Sequence, residues 1–423
     1  MYDPPPSMES DRRASDQPEA CIACGRTEVE QFLDLGETAL ANKFVAEAEL
    51  AEREPTYPLR VGFCHGCGHV QLTEAVPPEA MFEDYLYISS ASDTLAAHLY
   101  DLSDTMTGRR CLGRSDLVID IGCNDGTLLS GFARHGVRTL GVDPAQNLAG
   151  MLSEKGIDRF SGFFDSDAAR QIVRDWGQAS LITATNTFSH IPKLNDFVEG
   201  IRTVLAPGGA FVIEAHYLVD LLDQGAFDTI YHEHVSYWAL GPMARLFEQH
   251  GMQIVDAERL PLHHGQLRVT VQRGGERRVE PRVEEILEME RARAIDQIET
   301  YQAFAQDVQR IKKDLHERMR ELLNRGDRIA GYGAPAKGNT LLSFLEIGPE
   351  TIKYIADRSP LKQGRYTPGS RIPVVPPDRL VADQPDYVVL FAWNFADEIL
   401  AQQSEYRQLG GKFIIPVPEV RVV

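Results

Sequence analysis

The sequence contains no run of about 18 or more apolar residues, so we expect no membrane-spanning helix. Its first residues, Met-Tyr-Asp-Pro-Pro-Pro, lack the basic and apolar stretches of a secretory signal. Positive charge is also scarce. A total of 43 Lys and Arg against 62 Asp and Glu gives a net charge of −19, which disfavours binding to nucleic acid through a general basic field. These absences favour a cytoplasmic protein with neither a membrane nor a nucleic acid as partner.

Internal repeats and long low-complexity segments are absent as well. The composition, 43% hydrophobic and 25% charged, is that of a globular protein. A chain of 423 residues is too long for one ordinary hydrophobic core, so we expect two or three domains. Residues 1–18 are rich in Pro, Ser, Asp and Arg, a composition typical of a disordered tail.

Cysteine occurs six times, yet four of these residues form two C-x-x-C pairs with 39 residues between them. The four are Cys21, Cys24, Cys64 and Cys67. Two such pairs supply the thiolates of a closed tetrahedral zinc site, which leaves no open position for chemistry. Disulfides are one alternative, but they are rare in the cytoplasm. A redox-active C-x-x-C is another, and the matched second pair argues against it. We interpret the nearby His65 and His69 as bystanders.

One stretch has the pattern of a strand, a glycine-containing turn, a helix and a second strand. Residues 117–121 form a short apolar run interrupted by Asp120, as in a buried parallel strand. Gly122 and Gly126 then allow a sharp turn and a close approach to a ligand. Asp143 ends the second strand, where an acidic residue commonly binds the two ribose hydroxyls of a nucleotide.

The chemistry of this turn favours S-adenosylmethionine over NAD. The two glycines are four residues apart, so the turn is not G-x-G-x-x-G. Asp120 and Asp125 would repel a pyrophosphate, whereas they would attract a sulfonium cation. A βαβ unit that binds no nucleotide is the alternative. The candidate cofactor-binding residues are Asp120, Gly122, Asn124, Gly126, Asp143, Phe164 near the adenine, and Asn186.

Polar residues follow the fourth predicted strand of this unit, namely Asn186 and His190. Open α/β sheets bind ligands at the carboxyl ends of their strands, so both are candidate pocket residues. Further along, Tyr231-His-Glu233-His234 is the stretch with the most reactive composition. A histidine beside a carboxylate can accept a proton near neutral pH. A metal site is one alternative, although H-E-x-H lacks the H-E-x-x-H spacing, and an ordinary polar packing cluster is another.

A second strand, glycine loop and helix begin near residue 328 with Gly331-Tyr-Gly-Ala-Pro-Ala-Lys337. The glycines make room for a phosphate at a helix N-terminus, and Lys337 adds a cation. The following strand ends in Asp357. Packing alone is the alternative reason for these glycines. Residues 279–324 predict a connecting helix, and later strands complete a second Rossmann-like unit.

From Cys21 to about Val417, these motifs resemble the sugar C-methyltransferases of deoxysugar biosynthesis. Besides the two cysteine pairs, the resemblance is carried by Tyr85-Leu-Tyr87-Ile-Ser-Ser, Ile121-Gly-Cys-Asn-Asp-Gly, Asn186-x-x-x-His190, Phe227-Asp-Thr-Ile-Tyr-His-Glu-His234, Gly331-Tyr-Gly-Ala-Pro-Ala-Lys-Gly-Asn-Thr340 and Lys362-Gln-Gly-Arg-Tyr-Thr-Pro-Gly369. The stretch that ends at His234 is specific to the group, whereas the nucleotide loop is common to many methyltransferases.

The resemblance implies an α/β fold with two Rossmann-like parallel-sheet domains and a small N-terminal zinc-binding domain. We place the zinc-binding domain at residues 19–78 and the S-adenosylmethionine-dependent methyltransferase domain at residues 79–272. Residues 273–423 would form a helical linker and the Rossmann-like domain that binds a sugar nucleotide. The implied cofactors are S-adenosylmethionine and structural Zn²⁺. We expect a monomer or a weak homo-oligomer.

The substrates of this family are dTDP-linked 4-keto-6-deoxysugars, methylated on a carbon next to the ketone, usually C3. Removal of that α-proton requires a base and a group that stabilises the enolate. By resemblance His234 is the base, while Glu233 and Tyr231 position the sugar or support the enolate. Further pocket residues would be Tyr85, Tyr87 and Asn186. The substrate-binding candidates are His190, His263, Gly333, Lys337, Asn339 and Asp357. Of these, Lys337 would contact the diphosphate.

Two departures from the family pattern matter. Cys123 stands where the family usually has serine, and the family's His-Gly-Gly-Ser-Leu-Arg segment is replaced by His263-His-Gly-Gln-Leu-Arg268. The bulkier His264 and Gln266 leave the exact sugar and the methylated carbon open. Two other functions also stay open: an O- or N-methyltransferase of another small metabolite, and a non-catalytic nucleotide-binding protein.

Overall fold

The computed structural model describes residues 20–83, 85, 88–262, 265–275 and 278–423. The tail predicted at residues 1–18 and two candidate site residues, Tyr87 and His263, lie outside the described residues. Within the described ranges, no helix has the length and the apolar character needed to cross a membrane. This part of the chain forms three β-sheets, of four, seven and six strands.

The strands and helices alternate through the middle and the end of the chain. In chain order the strands are β1 (Val29–Thr38), β2 (Tyr57–Cys64), β3 (Val70–Leu72), β4 (Leu117–Ile121), β5 (Arg138–Asp143), β6 (Asp158–Ser161), β7 (Ala179–Thr185), β8 (Leu205–His216), β9 (Ser236–Tyr237), β10 (Met252–Leu260), β11 (Gln266–Arg273), β12 (Ile329–Tyr332), β13 (Ile355–Ala356), β14 (Val374–Val375), β15 (Tyr387–Leu390), β16 (Lys412–Ile415) and β17 (Arg421–Val422). The α-helices are α1 (Glu79–Phe82), α2 (Asp93–Arg110), α3 (Thr127–Arg134), α4 (Ala149–Glu154), α5 (Ser166–Asp175), α6 (Leu194–Val204), α7 (Leu218–Asp223), α8 (Leu240–Gln249), α9 (Pro281–Ala292), α10 (Ile298–Asn324), α11 (Ala336–Phe344), α12 (Arg379–Asp383), α13 (Ala396–Gln402) and α14 (Ser404–Gln408).

The N-terminal sheet has the order β1-β2-β3-β9, with antiparallel neighbours throughout. Strand β9 comes from much later in the chain and directly follows the stretch that ends at His234. It pairs with β3 through Val70 and Tyr237. The N-terminal module therefore anchors the Tyr231–His234 stretch on one side.

The central sheet has the order β10-β11-β8-β7-β4-β5-β6. Strands β4 to β8 are parallel to their neighbours, and β11 runs antiparallel between β8 and β10. Every residue of β4 is buried, as expected for a parallel strand covered on both faces. Val118 belongs to one hydrophobic cluster, whereas Leu117, Ile119 and Ile121 belong to another, in keeping with the two-residue period of a strand.

The C-terminal sheet has the order β14-β13-β12-β15-β16-β17 and is parallel except for the last strand. Helix α11 follows β12 after a short loop, as in the first Rossmann-like unit. The two larger sheets and the cysteine-containing N-terminal module confirm the predicted α/β fold class.

One local prediction was wrong in detail. Residues 279–324 form two helices, α9 and α10, because Ala294 adopts a left-handed φ of +52° that ends the first. Near the start of β8, at Pro207-Gly-Gly209, the pairing with β7 shifts register and Gly208 has φ +69°. Glycine allows the strand to absorb the extra residues as a bulge.

Candidate active site

A cavity of about 800 Å³ lies at the carboxyl edge of the central sheet and extends to the C-terminal unit. Its walls come from the N-terminal module, from the loops after β4, β5, β7 and β8, and from the loops after β12 and β15. The carboxyl ends of parallel strands are where such sheets bind ligands. The lining includes these residues predicted from the sequence: Tyr85, Asp120, Gly122, Asn124, Asp143, Phe164, Asn186, His190, Tyr231, His234 and Lys337.

The loop after β4 is shaped by Gly122, whose φ is +71°. A Cβ there would lie 2.2 Å from Oγ1 of Thr187, so both the conformation and the space require glycine. The N–H of Asn124 donates to Oδ2 of Asp143 (2.8 Å), and the N–H of Ala145 donates to Oδ1 (2.8 Å). Asp143 thus ties the tips of β4 and β5 together. Each of its oxygens keeps acceptor capacity for a ribose hydroxyl.

Asp120 and Asp125 do not act together at this loop. Asp120 lines the cavity and accepts a hydrogen bond from Oγ1 of Thr183 (2.7 Å), and burial raises its pKa to about 7. A nearby cation would stabilise its ionised form. Asp125 is not among the lining residues. It accepts from the N–H of Thr127 (3.2 Å) and forms an ion pair with Lys155 (3.6 Å). The preference for a sulfonium therefore rests on Asp120 alone.

Gly126 is not among the residues that line the cavity, and its predicted contact with the cofactor stays a prediction. Its φ is +74° at the start of α3, and a Cβ would lie 2.8 Å from Cδ1 of Ile157. Backbone conformation and packing beneath the loop both favour glycine here. Phe164 does line the cavity, and its ring packs edge-on against Phe197 at 5.2 Å.

Three histidine rings meet on the opposite wall. The centroid of His234 lies 5.3 Å from that of His190 and 5.1 Å from that of His216. The ring of Tyr231 is closer still, at 4.1 Å. These residues come from the loops after β7 and β8 and from the stretch before β9, and all of them line the cavity.

His234 is held as one neutral tautomer. Its Nδ1 donates to the carbonyl of Thr229 (2.8 Å), so Nε2 is the nitrogen that can accept a proton. Burial, with a contribution from His190, lowers the pKa of His234 to about 3. The ring is therefore unprotonated throughout the neutral range.

Glu233 lies just behind this wall and is only 4% exposed. Nδ2 of Asn42 donates to its Oε1 (2.6 Å), and the hydroxyl of Tyr85 donates to its Oε2 (2.9 Å). Burial raises the pKa of Glu233 to about 7, and both hydrogen bonds oppose that rise. Asn42 and Tyr85 line the cavity, whereas Glu233 itself does not. The carboxyl group therefore acts on the cavity through its two neighbours.

Asn186 adopts a left-handed φ of +57°, which asparagine tolerates better than most residues. Its N–H donates to the carbonyl of Glu214 (2.8 Å). Nε2 of the buried Gln266 donates to its side-chain Oδ1 (2.5 Å). This contact orients the Asn186 amide so that Nδ2 can donate to a ligand in the cavity.

At the C-terminal end of the cavity, Lys337 is a buried cation. Its Nζ lies 4.2 Å above the ring of Trp393 and, among the described residues, has no hydrogen-bond partner. Burial lowers its pKa to about 8, and the charge of Asp228 opposes that effect. Asp228 in turn accepts a hydrogen bond from Nε1 of Trp393 (2.7 Å). An unpaired buried ammonium in a cavity is suited to an anionic ligand.

Three other substrate candidates do not line the cavity. Gly333 has φ +80°, and a Cβ there would press on the loop after β15 at 2.7 Å. Nδ2 of Asn339 donates to the carbonyl of Ala41 (2.6 Å), which joins α11 to the N-terminal module. Asp357 accepts a hydrogen bond from the N–H of Ala334 (2.6 Å), as Asp143 does in the first unit. These contacts hold the loops next to the cavity in place, and a role of the three residues in substrate binding stays a prediction.

The structure also brings in residues that the sequence argument did not select: Asn42, His216 and Lys362 line the cavity. His216 ends β8, so the carboxyl-end rule could have found it. Lys362 is half-buried and donates to the carbonyl of Ala334 (2.7 Å). Asn42 lies in a turn with no local pattern that marks it.

The four cysteine sulfurs lie within 4.8 Å of one another. Cys21 Sγ is 3.6 Å from Cys67 Sγ, and Cys24 Sγ is 3.6 Å from Cys64 Sγ. Sulfurs at tetrahedral corners about 2.3 Å from a zinc ion are separated by similar distances. Neither His65 nor His69 belongs to this cluster in the described chain, in agreement with their interpretation as bystanders.

Comparison with protein families matches the chain in three successive segments. Residues 21–82 match a zinc binding domain, residues 96–257 a methyltransferase domain, and residues 261–418 a C-methyltransferase C-terminal domain. The cysteine cluster lies within the first segment, and the loop after β4 lies within the second.

Among curated proteins, the chain is 36% identical to C-methyltransferase NovU of Streptomyces niveus, over 95% of this chain and 96% of that protein. It is 24% identical to the ubiquinone biosynthesis O-methyltransferase of Burkholderia pseudomallei, over 34% of this chain and 68% of that protein. Among solved structures, a SAM-dependent methyltransferase from Anabaena variabilis matches 47% of this chain and all of its own, with 14% identity and a TM-score of 0.34.

Proposed function

The chain belongs to the C-methyltransferase family, with S-adenosylmethionine as cofactor and a structural zinc site, and from this premise we propose that it methylates a sugar carbon. The proposed substrate is a dTDP-linked 4-keto-6-deoxysugar, and the proposed position is the carbon next to the ketone, C3. One observation carries the proposal. A single cavity contains the loop tied by Asp143, the neutral imidazole of His234 and the buried cation of Lys337.

The cofactor fits the end of the cavity formed by the loops after β4 and β5. When bound there, S-adenosylmethionine supplies an electrophilic methyl group on a sulfonium. Asp143 would accept the ribose hydroxyls, and Phe164 would border the adenine. Asp120 would offer its negative charge to the sulfonium side of the ligand.

The base in this proposal is Nε2 of His234. It takes the proton from the carbon next to the ketone, and the electron pair of the C–H bond passes into the enolate. Tyr231 lines the same wall, and its hydroxyl could donate a hydrogen bond to the enolate oxygen, whereas the hydroxyl proton of Tyr85 is already donated to Glu233. A base placed in this way typically accelerates proton removal by about 10²- to 10⁴-fold. The low pKa of His234 keeps the ring unprotonated but makes it a weak base, and a nearby anionic substrate would raise that pKa and strengthen the base.

The nucleotide end of the substrate would lie against the C-terminal unit. Lys337 and Lys362 line that wall, and a diphosphate would provide the hydrogen-bond acceptor that the buried ammonium of Lys337 lacks among the described residues. Both ligands would then meet across the carboxyl edge of the central sheet, where orientation favours methyl transfer to carbon.

The test is proton exchange in heavy water with a panel of dTDP-4-keto-6-deoxysugars, with and without S-adenosylmethionine, read by mass spectrometry. Without S-adenosylmethionine we expect deuterium at the α-carbon, and with it we expect one methyl group bonded to that carbon in place of the α-hydrogen. Both should fall at least about 100-fold in His234→Gln. His135→Gln, which removes an exposed histidine paired with Asp104, is the matched control and should behave like the unaltered protein.

Two results would contradict this proposal. If α-proton exchange survives in His234→Gln, His234 is not the base. A methyl group gained while the α-carbon keeps its hydrogen would instead support O- or N-methylation of the acceptor, and O-methylation is the function named for a relative that matches one third of the chain.

A further inference from the structure

A short turn of the N-terminal module, residues 41–45, reaches the candidate site between the other two sheets. The C-terminal unit holds this turn at both ends. Nδ2 of Asn339 donates to the carbonyl of Ala41 (2.6 Å). Val45 and Tyr366 exchange two backbone hydrogen bonds of 2.9 Å. Asn42 is thereby fixed at a cavity wall that also carries the Tyr231–His234 stretch.

In the hydrogen bond between Asn42 and Glu233, the amide is the donor and the carboxyl oxygen is the acceptor. A side-chain amide nitrogen can only donate, so Nδ2 of Asn42, at 2.6 Å from Oε1, favours the carboxylate over the carboxylic acid. The hydroxyl of Tyr85 donates to the other oxygen (2.9 Å). The two hydrogen bonds together define both the plane and the charge of the buried group.

The remaining titratable groups around Glu233 do not replace these contacts. On its own stretch, His234 donates to Thr229, and His232 contacts the carbonyls of Tyr57 and Pro58 with its Nε2. Tyr231 lies against the ring of His234. Across the cavity, Lys337 and Lys362 are the lysines of the C-terminal unit among the described lining residues, and neither forms a hydrogen bond with Glu233.

We propose that Asn42, a residue of the zinc-binding module, is a positioning residue of the active site that favours the ionised form of Glu233 and orients its carboxyl group. Asn339 contributes to the same positioning, because its hydrogen bond to Ala41 fixes the turn that carries Asn42. The effect of Asn42 on the carboxyl group requires no substrate. Its consequence for the reaction rests on the proposed function.

The proposal predicts a definite direction of change. In Asn42→Ala one donor to the carboxylate is lost, so the pKa of Glu233 rises from its starting value near 7, by about one unit. In Asn42→Asp a second carboxyl group of nearly the same shape takes the place of the donor. Two such groups share one proton, so we expect a larger rise. Asn339→Ala should produce a smaller rise than Asn42→Ala, because it only loosens the turn.

The test is infrared titration of Glu233 in the zinc-loaded full chain without substrate. The carboxyl band is isolated as the difference between each protein and the same protein carrying Glu233→Gln. We expect a midpoint near 7 in the unaltered protein and higher midpoints in both Asn42 variants. Lys43→Ala, which changes an exposed residue of the same turn, is the control and should leave the midpoint in place. An unchanged midpoint in the near-isosteric Asn42→Asp, or a lower one in either Asn42 variant, would overturn the proposal.

A second measurement separates this inference from the proposed function. The acid limb of the pH profile for α-proton exchange should move upward in Asn42→Ala by the same amount as the infrared midpoint. If the unaltered protein exchanges no proton in any ketosugar, the proposed function fails while the infrared midpoints still test Asn42. If exchange occurs but its acid limb stays in place when the midpoint moves, the proposed link between Glu233 and the reaction is wrong.

Discussion

Two neighbouring side chains, Glu233 and His234, are shifted by the same burial in opposite directions. Burial disfavours charge, so the pKa of the carboxyl rises to about 7 while that of the imidazole falls to about 3. Near neutral pH the histidine is a neutral proton acceptor and the glutamate is close to its midpoint. The protonation state that changes in the physiological range is therefore that of Glu233, although His234 is the group that faces the cavity.

This difference predicts the pH dependence of methyl transfer. Glu233 loses its charge as the pH falls through about 7, whereas His234 stays neutral down to about 3. If ionised Glu233 supports the reaction, kcat/KM should decline below a midpoint near 7. In Glu233→Gln this decline at acid pH should vanish, and kcat/KM should be lower than in the unaltered protein and nearly independent of pH. If kcat/KM declined with the same midpoint in both proteins, another group would be responsible for the decline.

At the scale of elements, the two Rossmann-like units repeat one loop construction. After β4 the N–H of Gly122 donates to the carbonyl of Val142 (2.8 Å), and after β12 the N–H of Gly333 donates to that of Ala356 (2.8 Å). In each unit an aspartate at the end of the next strand accepts a loop N–H. Only the first of these glycines lines the cavity. The same construction thus forms part of the cavity wall in one unit and packs against a neighbouring loop in the other.

Gly122→Ala tests the loop after β4. The added Cβ would meet Thr187 at 2.2 Å in a backbone conformation that alanine disfavours, at a cost of about 1–3 kcal/mol. We expect calorimetry to show at least about tenfold weaker binding of S-adenosylhomocysteine. Gly150→Ala is the matched control, because a Cβ on that helical glycine of α4 meets nothing within 4 Å. Equal affinities for the two variants would contradict the role given to Gly122.

At the scale of the whole molecule, all three sheets contribute to one site. The N-terminal module supplies Asn42, the central sheet supplies the cofactor loop, and the C-terminal unit supplies Lys337. In the N-terminal module the four clustered cysteines join the chain before β1 to the end of β2 and the turn that follows it, so a bound metal would stabilise the module. A metal that stabilises one module should therefore affect a site assembled from all three.

Metal removal tests this coupling. We expect about one zinc ion per chain by elemental analysis and a lower apparent Tm after treatment with a strong chelator, because the cluster binds zinc only when folded. Cys64→Ser should lower the apparent Tm in the same way, whereas Cys111→Ser, at an exposed cysteine outside the cluster, should not. A zinc-free protein of unchanged Tm would contradict a structural role for the cluster.

The sequence predicted those parts of the molecule whose residues are close in the chain. The buried strand β4, the glycine turn after it and Asp143 follow from local period and spacing, and the structure has them as expected. The Asn42–Glu233 contact joins residues 191 positions apart, so no local pattern could indicate it. For the same reason Asn339 was predicted as a ligand-binding residue, although its partner is a backbone carbonyl of the N-terminal module. The roles of the site residues in catalysis stay predictions.

The most direct test of the central claim is the position of the transferred methyl group. The protein is incubated with S-adenosylmethionine labelled with ¹³C in the methyl group and with a dTDP-4-keto-6-deoxysugar, and the product is examined by NMR. We predict that the labelled methyl group is bonded to the sugar carbon next to the ketone, with the α-proton lost to solvent. A labelled methyl group on oxygen or nitrogen, or no transfer to any ketosugar of the panel, would contradict the account.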